Sequence, residues 1–189
     1  MPDAPGLIEL AERLTEVFRK AGIDYAIGGA LAYGLWGEPR GTMDVDVCAF
    51  VARERADILF ELLESLGGQL ERDVCRWQLN TAHYFAVDFG LLRVDVFSPD
   101  MLLYDWAFPR RVQAPLGSST AWYWSAEDTL LFKLIFFRTK DKADIETLVG
   151  VQRENLDLGY VRRALRDIID DEQRSGWFED LVREVLGGG

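Results

Sequence analysis

The stretch GGALAYGLWGEPRGTMDVD, residues 28–46, places two glycines at the end of a short apolar segment and two aspartates in a later one. The preceding residues, 23–27, are apolar and partly β-branched, which predicts a strand. The segment ALAYGLW favours a helix, and Pro39 with Gly41 predicts a turn. Residues 42–50 then predict a second strand. Residues 23–50 are therefore predicted to form, in order, a strand, a glycine pair, a helix and a second strand.

The two aspartates of TMDVD lie one residue apart within a predicted strand. Side chains alternate across a strand, so Asp44 and Asp46 share one face while Val45 and Val47 point to the core. Two carboxylates about 6 to 7 Å apart repel each other unless water or a cation screens them. We therefore expect this face to be either solvated or bound to a positively charged group.

The segment RVDVF repeats the same pattern around Asp95. If its strand pairs beside the first, Asp95 joins Asp44 and Asp46 on a common face. Three oxygen ligands suit Mg²⁺, which binds one or two carboxylates together with phosphate oxygens. Two such ions can hold the attacking and leaving oxygens of a phosphoryl displacement. Asp88, in VDFG, is the alternative third acid.

The pair Gly28-Gly29 falls where the first strand meets the next helix. Glycine permits close backbone approach, and a helix N-terminus offers free N–H donors to an anion. The glycines therefore predict a phosphate site beside a metal held by the aspartates. Taken separately, a glycine pair is typical of a turn, and alternating aspartates are typical of a solvated strand face. Their order along the chain favours the functional interpretation.

The remaining sequence predicts mixed α and β structure first and helices last. Apolar residues at helical spacing predict helices at 7–21, 53–66, 125–137, 141–150, 159–172 and 177–186. Ser125 followed by Asp128 is typical of a helix N-terminus.

Residues 70–97 predict two or three antiparallel strands, including a hairpin that turns at DFG, and RVQAPLGSSTAWYW predicts a second hairpin around residues 116–119. Residues 98–111 give no clear pattern. The chain is thus predicted to be α+β: a domain at 1–124 with a mixed β-sheet flanked by helices, followed by a C-terminal helical lobe at 125–189.

The composition disfavours general nucleic-acid binding. The chain has 21 Lys and Arg against 32 Asp and Glu, a net charge of −11, whereas phosphate backbones require clustered basic residues. A cationic small substrate or a protein partner suits this field better. The two cysteines, Cys48 and Cys75, have neither the spacing of a metal site nor that of a disulfide framework. No apolar run approaches the roughly 20 residues of a membrane span. Residues 1–6 lack the charged and apolar regions of a signal peptide. We therefore expect a cytoplasmic protein that does not insert into a membrane.

Residues 28–46, together with Asp95 in LRVDVF, resemble the nucleotidyltransferase superfamily that includes DNA polymerase β. Its members carry a glycine pair, a D-x-D and a third acid on a neighbouring strand. IGGALAYGLWGEPRGTMDVDV followed by SAEDTLLFKLIFFRTKDKADIETL is similar to small bacterial members related to the toxin AbiEii, and more distantly to aminoglycoside and lincosamide nucleotidyltransferases. The resemblance covers about residues 7–150.

This resemblance implies a transferase that moves an NMP from an NTP, such as ATP, to an acceptor hydroxyl and releases pyrophosphate. It implies that Asp44 and Asp46 bind Mg²⁺ or Mn²⁺, and that Asp95 completes the metal site and acts as the base. The residues that it places near the nucleotide phosphates are Gly28, Gly29, Arg40, Thr42, Lys133, Arg138 and Lys140. Family members commonly have Ser after the first glycine, whereas this chain has Gly29-Ala30, so backbone N–H groups alone would hold phosphate there.

The acceptor stays open at this point. The acidic surface favours a cationic small molecule such as an aminoglycoside, as in antibiotic-resistance relatives, while toxin relatives have RNA or protein acceptors, including tRNA ends. The alternative function is a catalytically weak module of this fold that acts by binding a partner protein in a toxin–antitoxin couple. A homodimer is compatible with either function.

Overall fold

The computed structural model describes residues 6–187, which form a mixed six-stranded sheet with helices on both faces. Residues 1–5, on which the expectation about a signal peptide partly rests, and residues 188–189 lie outside this range. The strands are β1 (Tyr25–Ile27), β2 (Asp44–Ala49), β3 (Tyr84–Phe89), β4 (Leu92–Phe97), β5 (Val112–Leu116) and β6 (Ser119–Tyr123). The α-helices are α1 (Leu7–Lys20), α2 (Gly29–Trp36), α3 (Asp57–Ser65), α4 (Arg72–Ala82), α5 (Leu102–Ala107), α6 (Ala126–Phe136), α7 (Thr139–Gln152), α8 (Leu158–Ala164) and α9 (Glu172–Leu186).

The sheet has the strand order β3-β4-β2-β1-β6-β5. β2 pairs in parallel with β4, and β1 pairs in parallel with β6, while the other neighbours are antiparallel. The register sets Asp46 opposite Asp95 and Val45 opposite Val94. The strand that carries the third acid is therefore the immediate neighbour of the D-x-D strand, as the sequence interpretation required.

One face of the sheet carries the larger apolar core. Val45, Val47, Val94 and Phe85 are fully buried there, packed with apolar side chains of α1, α3 and α4. Complete burial of such a side chain stabilises the fold by about 1.5 to 3 kcal/mol. Because strand residues alternate, this burial forces the intervening aspartates onto the opposite face.

The opposite face is divided along the strands. At one end it is apolar, where Cys48 packs with Trp124 and with Tyr104 of α5. At the other end it is polar, and this polar end contains the candidate site. A further apolar cluster is formed by side chains of α6, α7, α8 and α9, and it includes Tyr33 of α2 and Leu103 of α5.

The α+β class is confirmed by this order of elements. Both predicted hairpins form, and α1 and α6 lie where the helical spacing placed them. Ser125 caps α6, since its Oγ accepts a hydrogen bond of 3.1 Å from the Asp128 N–H. The division into domains at residue 124 stays a prediction.

One element prediction is wrong, and one predicted helix differs at its end. The strands expected across 70–97 begin only at β3, because α4 occupies the first part of the segment. Only Cys75 and Leu79 of α4 are buried, whereas Val74 and Trp77 are exposed, so the apolar face is too narrow to give a helical signal. The helix expected at 159–172 is present as α8 followed directly by a π turn over Leu165–Ile169, and it ends early at Asp170, whose φ of 47° is left-handed.

Two further expectations concern the state of the cysteines and membrane insertion. Cys48 and Cys75 are both free and buried. Within residues 6–187, no helix has the length and apolar character needed to span a membrane.

Candidate active site

The candidate site is the polar end of the sheet face that lies opposite the main core. Two rows of side chains cross from β2 to β4 there: Asp44 lies opposite Arg93, and Asp46 lies opposite Asp95. Adjacent strands are about 4.8 Å apart, so the side chains of each row are neighbours. Asp44 is exposed, Asp46 is half-buried and Asp95 is buried. The fold thus brings the three predicted acids onto one face.

Asp88, the alternative third acid, is on the same face but farther out. It lies opposite Arg93 on β3, beyond β4, and is exposed. Two strand spacings put β3 about 10 Å from β2. The register therefore favours Asp95 over Asp88 as the partner of Asp46.

Gly28 and Gly29 join β1 to α2 directly beneath Asp46. The Gly28 N–H donates to the Asp46 backbone carbonyl at 2.8 Å, so it takes part in strand pairing and is not free to bind an anion. Gly29 has a left-handed φ of +53°, and a Cβ there would lie 1.7 Å from Asp46 Oδ2. The Asp46 carboxylate therefore lies against the first turn of α2, whose leading N–H groups have no partner within the helix.

Burial and charge repulsion make the ionised form of Asp46 costly. Burial is the largest cause, and the charges of Asp95 and then Asp44 add to it, which together raise the pKa of Asp46 to about 6. Lys133 and Lys140 act in the opposite direction. Among residues 6–187, no side chain donates a hydrogen bond to the Asp46 carboxylate, so its charge is only partly compensated.

Asp95 is held by an arginine on its own strand. Arg93 Nε donates to Asp95 Oδ1 at 2.5 Å, and Arg93 Nη2 donates to Oδ2 at 2.8 Å. This two-point pair occupies both carboxylate oxygens. Its hydrogen bond to Asp95 is the main reason why the pKa of Arg93 is raised.

Two of the predicted phosphate-binding cations share a carboxylate of α7. Lys133 Nζ donates to Asp144 Oδ2 at 2.6 Å, and the Arg40 guanidinium donates to both Asp144 oxygens at 3.1 and 3.3 Å. Burial alone would raise the pKa of Asp144, but the hydrogen bonds from these cations hold it below its ordinary value. Lys133 also lies over the Tyr33 ring, with Nζ 4.9 Å from the ring centroid. Asp144 therefore fixes both cations beside α2.

The other residues predicted to contact the nucleotide phosphates differ in whether their side chains are already paired. Lys140 is exposed, and its charge acts on Asp46. Arg138, just before α7, pairs with Asp141, and the charge of Asp46 acts on it as well. The Thr42 Oγ accepts a hydrogen bond of 3.2 Å from the Asp44 N–H, which fixes the start of β2. The nucleotide-binding roles of these residues stay predictions.

The donor atoms on this face are of the type that a hard divalent cation prefers. Asp44, Asp46 and Asp95 supply only oxygen ligands, and the repulsion that raises the pKa of Asp46 would be relieved by a bound cation. In the part of the chain that the structure describes, no three Asp, Glu, His or Cys side chains are clustered closely enough to form a metal site. Asp95, which is paired with Arg93, would have to change partner to join one.

The site contains two residues that the sequence interpretation missed. Arg93 stands two positions before Asp95, so strand alternation alone would have placed it on the same face. Asp144 has no comparable signal, because its role depends on how α7 packs beside α6 and α2, which local sequence does not reveal.

Comparisons with known proteins were made at the level of sequence and of structure. The sequence matches no protein-family model, and no curated protein matches it. A nucleotidyltransferase-like antigenic protein from Paracoccidioides brasiliensis has a similar structure, with 18% identity and a TM-score of 0.55 over 95% of this chain and 93% of that one.

Two antibiotic-modifying proteins have similar structures. ANT(2″)-Ia, in complex with adenylyl-2″-tobramycin, is 16% identical with a TM-score of 0.62 over 84% of this chain and 96% of that one. The lincosamide antibiotic adenylyltransferase LnuA, bound to lincomycin, is 15% identical with a TM-score of 0.53 over 75% of this chain and 96% of that one. This chain therefore has the nucleotidyltransferase fold, which confirms the sequence resemblance at the level of architecture.

Proposed function

We propose that this chain, which has the nucleotidyltransferase fold, is a metal-dependent enzyme that transfers an NMP from an NTP to an acceptor hydroxyl and releases pyrophosphate. The observation that carries the proposal is the close contact of Asp46 with the first turn of α2, on the sheet face that also holds Asp44 and Asp95. A phosphate bound at the start of α2 would lie next to these carboxylates.

In this proposal, the free N–H groups at the start of α2 and the charges of Lys133, Lys140 and Arg138 bind the triphosphate. Asp44, Asp46 and Asp95 would hold Mg²⁺ or Mn²⁺, which would supply positive charge to the phosphate oxygens and to the attacking and leaving oxygens. Asp95 accepts the proton of the acceptor hydroxyl. Most of the rate enhancement then comes from positioning and from charge stabilisation.

The proposed acceptor is a cationic small molecule. The net charge of −11 and the exposed carboxylate of Asp44 on the site face favour a positively charged acceptor over a polyanion. ANT(2″)-Ia and LnuA, which have this fold, have structures with an adenylylated aminoglycoside and a lincosamide, respectively. An RNA or protein acceptor is the other outcome that the test below distinguishes.

The test is a transfer assay with each of the four NTPs, Mg²⁺ and a panel of aminoglycosides, lincosamides, tRNA and proteins. We expect pyrophosphate release together with a mass increase of one NMP on a cationic small molecule. Asp46→Asn and Asp95→Asn should each lower turnover by at least about 100-fold, since each removes a charge required in the transition state. Asp88→Asn is the matched control and should retain turnover. Equal rates for the wild type and Asp46→Asn with every NTP and acceptor would refute the proposal.

A second candidate is a catalytically weak module that acts through a partner protein. Two observations favour it: both oxygens of Asp95 are occupied by Arg93, and Asp144 binds both Arg40 and Lys133. The two functions differ in turnover, since a binding module would bind Mg²⁺–NTP and leave it intact. Nucleotide binding without pyrophosphate release or self-labelling, across the whole acceptor panel, would select this candidate.

A further inference from the structure

Arg93 is the cation most closely associated with the three carboxylates. Its guanidinium makes two parallel hydrogen bonds to Asp95, and its register partner on β2 is Asp44. The charges of both Asp95 and Asp44 raise the pKa of Arg93. Arg93 is therefore the positive charge that already occupies part of the acidic face.

The pair engages both oxygens of Asp95, which weakens them as ligands for another cation. A carboxylate has two oxygens, and each accepts one guanidinium N–H in this fork arrangement. The Asp95 side chain is only 12% exposed, so few other orientations are open to it, whereas Arg93 is 42% exposed and has room to leave. A divalent cation that binds Asp95 therefore competes with Arg93 for the same carboxylate.

From this geometry we infer that Arg93 is a positioning residue that competes with the divalent cation for Asp95. The inference rests on the proposed function, since it concerns the same metal site. In the absence of metal, Arg93 compensates the charge of Asp95 through the two-point pair. Metal binding releases the guanidinium, so the free chain binds metal more weakly than its three carboxylates would allow.

The test is a titration with Mn²⁺ alone, without nucleotide, that follows the free Mn²⁺ signal by electron paramagnetic resonance. Arg93→Met removes the competing cation and should tighten Mn²⁺ binding by about fivefold, the upper end of the range for a partly exposed ion pair. Arg93→Lys keeps the charge but loses the fork, and should tighten binding by about twofold to threefold.

The matched control is Arg162→Met. Arg162 makes the same two-point pair with Glu179, at 2.7 and 2.9 Å, and is 45% exposed. Arg162→Met makes the same change in net charge as Arg93→Met, but at a position away from the site. It should therefore leave Mn²⁺ affinity within about twofold of the wild type. In an Asp95→Asn background, Arg93→Met should give no gain, because Arg93 acts through Asp95.

The outcomes separate this inference from the proposed function. If Arg93→Met binds Mn²⁺ no more tightly than Arg162→Met while the wild type binds it, the inference is wrong and the metal site stands. If Arg93→Met binds more tightly but no variant turns over NTP, the inference stands and the enzyme proposal fails. If neither the wild type nor Arg93→Met binds Mn²⁺, both fail. Arg93→Lys decides the question if Arg93→Met does not fold, as judged by circular dichroism.

Discussion

Replacing Asp46 by asparagine should make the free protein more stable while removing a charge that the proposed reaction requires. The carboxylate is half-buried, faces Asp44 and Asp95, and receives no side-chain hydrogen bond from the described residues. Asparagine has nearly the same shape and no charge. The substitution therefore removes the repulsion without opening a cavity.

The size of the effect follows from the pKa of Asp46, which is raised from an ordinary value of 3.8 to about 6. Each pKa unit corresponds to about 1.4 kcal/mol, so ionising Asp46 in the folded chain costs up to about 3 kcal/mol. Asp46 retains some contact with water, which screens part of this cost. We expect Asp46→Asn to raise the free energy of unfolding at neutral pH by about 1 to 3 kcal/mol.

The direction of the pKa change fixes the sign of the Asp46→Asn effect on stability and the pH range over which it develops. Between pH 3.8 and about 6, the folded chain keeps the Asp46 proton that the unfolded chain loses. The contribution of Asp46 to wild-type stability therefore falls as pH rises through this window, and its cost stays constant above it. The advantage of Asp46→Asn should be near zero at about pH 4, grow as pH rises, and reach its full value above about pH 6.

The assay is urea unfolding of the wild type, Asp46→Asn and Asp88→Asn at about pH 4, 5 and 7.5, without divalent metal. Asp88 is exposed on the same sheet face, so Asp88→Asn should change stability by less than about 0.5 kcal/mol. A loss of stability in Asp46→Asn at neutral pH, or a gain that does not depend on pH, would refute the reasoning.

Two further predictions concern the residues around Asp46. Gly29→Ala should lower the free energy of unfolding by about 1 to 3 kcal/mol, because Gly29 has φ +53° and a Cβ there would overlap Asp46. The control is Gly41→Ala, since a Cβ at Gly41 would meet open space. Gly41→Ala should change the free energy of unfolding by less than about 0.5 kcal/mol in the same urea assay. Equal effects of the two substitutions would contradict the close contact. Lys133→Met should cost about 2 to 3 kcal/mol at neutral pH, because Asp144 stays buried with only Arg40 as partner. Since the pKa of Asp144 is lowered, this loss should shrink as pH falls through that pKa, and a loss that is the same at about pH 3 and pH 7 would contradict it.

The sequence predicts the face on which the site lies because strand alternation leaves few choices. Buried Val45 and Val47 on one side of β2 require Asp44 and Asp46 on the other, and the same holds for Asp95 between Val94 and Val96. What alternation does not give is the pairing of strands. That β2 and β4 are parallel neighbours, with Asp46 opposite Asp95, depends on packing over the whole chain.

Asp144, which the sequence did not reveal, is placed in the site by ion pairs between residues distant in sequence. Arg40 and Lys133 were expected near phosphate, but their shared partner Asp144 lies 104 and 11 residues away from them in sequence. The helix α4 was missed for a different reason, since its exposed Val74 and Trp77 give it a strand-like composition. Local pattern identifies buried periodic faces well, and it gives little information where the fold exposes apolar side chains or pairs distant charges.

The most direct test of the proposed site is a calorimetric titration of the protein with a non-hydrolysable NTP analogue, with and without Mg²⁺. If Asp44, Asp46 and Asp95 hold metal beside the first turn of α2, the wild type and Asp88→Asn will bind the analogue at least about tenfold more tightly with Mg²⁺ than without it, and Asp46→Asn will show no such dependence. Binding that is unaffected by Mg²⁺ in the wild type, or an equal response in Asp46→Asn and Asp88→Asn, would contradict the account.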